Sequence, residues 1–209
     1  MDVSRRVRPT GKRYTRDVPA ATAEDILDLF RRVGALLEGH FRLTSGLHSP
    51  GYLQCALVLQ HPREAEACGA GIADRVRGLA PTVVLSPALG GIVIGHEVAR
   101  ALGVRAIFAE RQDGTLTLRR GFSLDAADRV LVVEDVVTTG GSTRETIEAA
   151  RAAGARVVGA GAIIDRSGGN QNLDVPFHAL ATVSLPTYQP DACPLCARGE
   201  PVVKPGSRA

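Results

Sequence analysis

The chain has 209 residues, of which 44% are hydrophobic and 22% charged, with a net charge of +3 and a pI near 8.9. That balance excludes a disordered or supercharged chain and suits one sizeable domain with a buried core. No stretch reaches the roughly 18 consecutive apolar residues of a membrane helix, and no apolar segment of a secretory signal follows the basic N-terminus.

Residues 1–18 carry Arg5, Arg6, Arg8, Lys12, Arg13 and Arg16 and few hydrophobics, and read as a flexible basic leader. A nucleic-acid-binding arm is the lesser alternative, so no nucleic-acid partner is expected. Residues 19–185 read as a single domain, with 186–209 as a tail packed on it. A helix is predicted over 22–38, opened by a Thr22/Asp25 capping box, with Ile26, Leu29, Phe30, Val33 and Leu37 at helical spacing. The segment 40–60 is polar and Gly-containing at first, with short strands predicted at 41–43 and 52–59. A helix follows over 62–79, with Pro62 tolerated in its first turn.

From there apolar strands alternate with helices. Strands are predicted at 82–86, 104–109, 129–135, 156–164 and 177–183, and helices at 92–102 and 142–153. A hairpin is predicted over 115–122, after a turn at Asp113-Gly114. This is an α/β pattern: a mostly parallel central sheet flanked by helices, with a small N-terminal hood. Ligands of such sheets sit beyond the carboxyl ends of the strands.

One such end carries the chemistry. Val130–Val133 is apolar, Glu134 and Asp135 follow, then Val136, Val137 and the loop Thr138-Thr139-Gly140-Gly141-Ser142 opening a helix. Successive backbone N–H groups, hydroxyls and a helix N-terminus form a cradle for a phosphate monoester. The two carboxylates can accept hydrogen bonds from the hydroxyls of a ribose ring. Capping of the next helix is the rival reading for the pair. Neither a Walker A loop nor a dinucleotide fingerprint is present.

This segment resembles the 5-phosphoribosyl-1-pyrophosphate (PRPP) motif of the type I phosphoribosyltransferases. The resemblance implies that Glu134 and Asp135 hold the ribose hydroxyls, and that the loop through Ser142 holds the 5′-phosphate. Phe41-Arg42-Leu43-Thr44-Ser45-Gly46-Leu47-His48-Ser49-Pro50 resembles the hood segment of the orotate phosphoribosyltransferase family. By that resemblance Ser45, Gly46, Tyr52, Thr138 and Arg166 bind orotate, Gly90 and Gly91 lie in the pyrophosphate loop, and Arg111 joins Asp135 in catalysis. It further implies transfer of phosphoribose from PRPP to orotate with Mg2+ as cofactor, a homodimer, and a cytoplasmic, pyrimidine-building role. No residue is assigned as a direct metal ligand. The alternatives are a purine phosphoribosyltransferase and a non-enzymatic PRPP- or nucleotide-binding regulator.

The sequence departs from that family in its cations. Lysine occurs only at Lys12 and Lys204. Thr44 and Gly90 stand where better-known members have lysines. In the loop from Glu110 to Phe122 only Arg111 matches well, with Arg119 or Arg120 as substitutes and a solvated charged turn as the plainer reading of those two. Cys193-x-x-Cys196 reads as two small residues packing the tail. The other readings are half a zinc site, completed only if Cys55 and Cys68 come near, and a redox pair, which lacks a thioredoxin-like context. His40, His48, His61, His96 and His178 receive no catalytic role.

Overall fold

The computed structural model describes residues 22–43 and 45–205; the basic leader, Thr44 and the tail's last residues 206–209 lie outside the described residues. The first helix, α1 (Ala23–Arg32), opens with the predicted capping box: the Thr22 hydroxyl accepts from the Asp25 N–H, and the Asp25 carboxylate accepts from the Thr22 N–H at 2.8 Å. The helix does not continue to 38. Val33 caps it and Gly34, at φ +67°, turns the chain. The N–H groups of Gly34 and Ala35 donate back to Arg31 and Phe30, closing a Schellman motif. Leu36 and Leu37 therefore leave the helix and enter strand β1 (Leu36–Arg42), which pairs antiparallel with β2 (His48–Leu53).

The predicted strand over 52–59 also breaks. Beyond Leu53 the chain forms a short helix, α2 (Cys55–Leu59), burying Cys55, Val58 and Leu59 at helical spacing. A five-residue apolar run fits either period, and burial against the main core decides for the helix.

The remaining elements follow the alternation. They are α3 (Pro62–Val76), β3 (Val83–Pro87), α4 (Gly90–Leu102), β4 (Arg105–Gln112), β5 (Thr115–Leu118), β6 (Arg129–Val137), α5 (Gly141–Ala152), β7 (Arg156–Asp165), β8 (Phe177–Thr182) and α6 (Pro194–Ala197). Strands run in the order β5-β4-β3-β6-β7-β8, all parallel except the β4–β5 hairpin. Asp113 and Gly114 both take positive φ in its two-residue turn, the conformation that matches strand twist. Along β6, Leu131 and Val133 enter the core under α1–α4, while Val130 and Val132 enter the one under α5. Period-two alternation between two covered faces explains why the whole strand is apolar. Among the described residues no helix is long and apolar enough to cross a membrane.

Helices α3 and α4 touch at Gly69, where an added Cβ would lie 2.5 Å from the Cβ of Glu97. Alanine would gain about 1 kcal/mol of helix propensity, but overpacking against rigid neighbours costs up to about 3 kcal/mol. Gly69→Ala is therefore expected to lose about 2 kcal/mol in urea unfolding. A midpoint unchanged or raised would show that the two helices separate freely.

Candidate active site

The acids sit where the parallel sheet predicts. Glu134 pairs with Ala162 on β7 and is 8% exposed; Asp135 is half-buried. Asp135 Oδ1 accepts from the Val136 N–H at 2.9 Å, and the Val137 carbonyl accepts from the Arg166 N–H at 2.8 Å, which ties the ends of β6 and β7 together. Neither acid caps α5: its N-cap is Gly140, at φ +74°, with no side-chain cap bond. The first-turn N–H groups of α5 thus meet an exposed edge formed by Thr138, Thr139 and Ser142. A side chain at Gly140 would approach the Gln171 carbonyl to 2.7 Å, so the loop backbone must be bare there.

Burial pushes the Glu134 carboxyl well above the ordinary carboxylate range, and the neighbouring Asp135 charge adds to it. Asp135 is also raised by burial, against hydrogen bonds that oppose the shift. Glu134 Oε2 is buried without a hydrogen-bond partner, and neither acid has an ion-pair partner among the described residues. The unfolded chain releases the Glu134 proton near 4.5, whereas the folded chain keeps it to higher pH. Over that interval the native state binds more protons, so stability of the ligand-free protein falls as pH rises. Glu134→Gln is expected to melt above the wild type at ~pH 8, each kcal/mol appearing as ~2–4 °C, with the gap closing toward ~pH 4. A gap independent of pH would show that Glu134 is not held protonated.

Two distant segments approach Asp135, and a third, at Arg166, meets one of them at Tyr52. Gly90, the first residue of α4, lies so close that a Cβ would stand 2.9 Å from both carboxylate oxygens. Gly91 packs against the Val133 carbonyl in the same way. Tyr52, on β2, has its hydroxyl pKa raised by burial and then by the Asp135 charge, with the Arg166 charge opposing. Arg166 follows β7, has a buried Nε without a hydrogen-bond partner, and has its pKa lowered by burial. Ser45 and Gly46 form the tip of the β1–β2 hairpin. Ser45 is exposed there, and the Gly46 N–H donates to the Leu43 carbonyl.

The arginines of the β4–β5 hairpin divide. Arg111 donates to the Gly114 carbonyl across the turn and forms an ion pair at 2.8 Å with Glu145 of α5. Arg120 makes a bidentate pair with Glu110 and lies over the Phe108 ring. Arg119 is exposed; its carbonyl accepts from the Phe122 N–H, and its guanidinium has no ion pair or hydrogen bond among the described residues. The charged-turn reading thus fits Arg120, while Arg119 is left available to an anion.

Two contributors were not legible in sequence. Cys55 places its thiol 3.9 Å from the Asp135 carbonyl, beneath the acid pair. Arg144 donates to the carbonyls of Thr139 and Gln171, bracing the phosphate loop against the segment after β7. Neither residue belongs to a motif, and their partners lie on other elements.

Residues 56–183 match the phosphoribosyl transferase domain family. The chain is 55% identical over 187 residues to the orotate phosphoribosyltransferase of Pelotomaculum thermopropionicum, covering 90% of this chain and 98% of that one. It is 54% identical to that of Desulforamulus reducens, covering 88% and 97%. The fold also matches Mycobacterium tuberculosis H37Rv orotate phosphoribosyltransferase in complex with PRPP, at a TM-score of 0.61 and 23% identity over 76% of this chain and 94% of that one.

Proposed function

Because the chain belongs to the orotate phosphoribosyltransferases of the phosphoribosyl transferase domain family, we propose that it transfers the phosphoribosyl group of PRPP to orotate. The products are orotidine 5′-monophosphate and pyrophosphate, a step of pyrimidine biosynthesis. The observation that carries this reading is the meeting of Asp135, Gly90, Tyr52 and Arg166 beside the uncapped N-terminus of α5. One end of that arrangement accepts hydroxyls and phosphate; the other presents a guanidinium and a phenol to a planar anion.

In the reaction the bond from the anomeric carbon to the pyrophosphate oxygen breaks, pyrophosphate leaving with the electron pair, and a bond to the pyrimidine N1 forms as N1 gives up its proton to solvent. Glu134 and Asp135 hold the ribose hydroxyls and fix the ring. Thr138, Thr139, Gly140, Gly141 and Ser142 bind the 5′-phosphate, with Val136 and Val137 supporting that turn. Ser45, Gly46, Tyr52, Thr138 and Arg166 position orotate. Gly90 and Gly91 let the diphosphate approach the backbone, and Arg111 with Arg119 offsets charge growing on the leaving group.

Mg2+ fits these residues. The acid pair offers hard oxygen donors, one of them without a protein partner, and no cation pairs with either acid among the described residues. A bound Mg2+ would supply charge to the diphosphate, held chiefly by substrate and water oxygens. The four free cysteines suit the cytosol as the site of action. A homodimer is the assembly we propose, supported by apolar surface at Leu89 and Val93, 76% and 45% exposed. Light scattering would give its mass.

The test is turnover with PRPP and Mg2+, following orotate absorbance beside parallel reactions with uracil, hypoxanthine, guanine and adenine. Orotate is expected to be consumed, and only when Mg2+ is present. Turnover of a purine without turnover of orotate would overturn the acceptor assignment while keeping the donor site.

A further inference from the structure

Away from the acid pair, four metal-binding side chains meet. His40 lies within β1, at its register shift, and His48 opens β2; Cys193 precedes α6 and Cys196 lies within it. Their donor atoms all fall within 4.8 Å of one another. The Cys pair therefore meets neither Cys55 nor Cys68, which lie in the main core, and its partners are two imidazoles from the other end of the chain.

The geometry points to a structural Zn2+ site of the His2Cys2 type, which we propose the chain carries at His40, His48, Cys193 and Cys196. Zn–S bonds of about 2.3 Å and Zn–N bonds of about 2.0–2.1 Å in a tetrahedron place N and S ligands about 3.6 Å apart. Here Cys193 Sγ and Cys196 Sγ each lie 3.7 Å from His40 Nε2, and Cys196 Sγ lies 3.3 Å from His48 Nδ1. His40 Nε2 and His48 Nδ1, at 2.8 Å, would part by about 0.5 Å to admit the ion. The tautomer is already set. His40 Nδ1 lies 2.8 Å from the Glu200 carbonyl, which can only accept, so Nδ1 carries the proton and the Nε2 lone pair faces the cluster.

Three of the four residues are buried, with His40 at 4%, His48 at 6% and Cys193 at 3% exposure, and both cysteines are free thiols. Two thiols and two imidazoles packed together in this way gain most when a cation replaces their competing protons. The backbone holds the same pieces together. His48 and Tyr188 exchange both N–H···O bonds, while Val203 donates to His40 and accepts from Arg42. The ion would fasten the tail to the hairpin whose tip carries Ser45 and Gly46.

The experiment is metal analysis of the full-length chain, purified without added metal or chelator, followed by titration of the stripped protein with Co2+ alone. The expected result is one zinc per chain and, with Co2+, the intense visible bands of a tetrahedral thiolate site saturating at one equivalent. Cys196→Ser, at the exposed ligand, should lose the thiolate signature and the tightly held zinc. Absence of both zinc and the Co2+ bands in the wild type would overturn the proposal. So would a Cys193–Cys196 disulfide found by thiol titration, or zinc retained in full by Cys196→Ser.

Discussion

Asp135→Asn is expected to reduce kcat/KM for PRPP by about 10²–10³-fold, or about 2.7–4 kcal/mol of transition-state stabilisation. The carboxylate already accepts from the Val136 N–H, and Gly90 approaches both of its oxygens with no side chain between. Asparagine preserves that shape but removes the charge and turns one acceptor into a donor facing the ribose hydroxyl. The loss should fall on both kcat and the PRPP KM, because ring positioning and charge both depend on the same group. Burial raises the Asp135 pKa, so the free protein gains rather than loses stability on neutralisation at neutral pH. Melting at or above the wild-type temperature would therefore separate a chemical loss from unfolding. Steady-state kinetics within ~3-fold of wild type would remove Asp135 from the mechanism.

The second large effect concerns the acceptor. Arg166→Ala should raise the orotate KM by roughly 30- to 5,000-fold, the 2–5 kcal/mol typical of truncating one partner of a buried charge pair, while PRPP binding stays near normal. Arg166 donates its backbone N–H to Val137 whatever its side chain, so the strand ends remain joined. Its guanidinium has a buried Nε with no hydrogen-bond partner, a costly state for a cation unless an anion arrives. Arg166→Lys should recover only part of the loss, since an ammonium cannot present two parallel donors to a carboxylate. Isothermal titration with orotate in the presence of pyrophosphate would read the effect directly. Equal weakening of PRPP and orotate would instead make Arg166 a brace of the strand ends.

These two residues are candidates from sequence for different reasons. Glu134-Asp135 stands out because acids at the end of a strand buried on both faces are costly unless used, and the Gly-rich turn follows at once. Arg166 is a candidate only through resemblance, since a lone arginine after an apolar strand has no pattern of its own. The sheet alternation was read almost to its boundaries, because each strand is a continuous apolar run between helices. The hood departs from the expected elements for a physical reason. Leu37 satisfies the helical period of α1 and a β1 pair with Tyr52 equally well, and only Gly34 marks the break. The run after Leu53 is likewise too short for its period to be decided locally. What the sequence could not reveal is long-range closure. His40 and Cys193 are 153 positions apart, and Arg111 meets Glu145 through the packing of a hairpin on a helix.

That separation orders the assembly of the protein in time. The sheet is complete at Thr182, and every parallel pairing in it joins strands already synthesised by then. The hood, although it contains β1 and β2, acquires its backbone partners Tyr188 and Val203 only from the tail. During vectorial synthesis the sheet that carries Glu134, Asp135 and Arg166 can therefore condense first, and the hood that carries Tyr52 is closed by a segment that emerges later. On the function proposed above, the nascent chain acquires a place for ribose phosphate before it acquires a roof over the base.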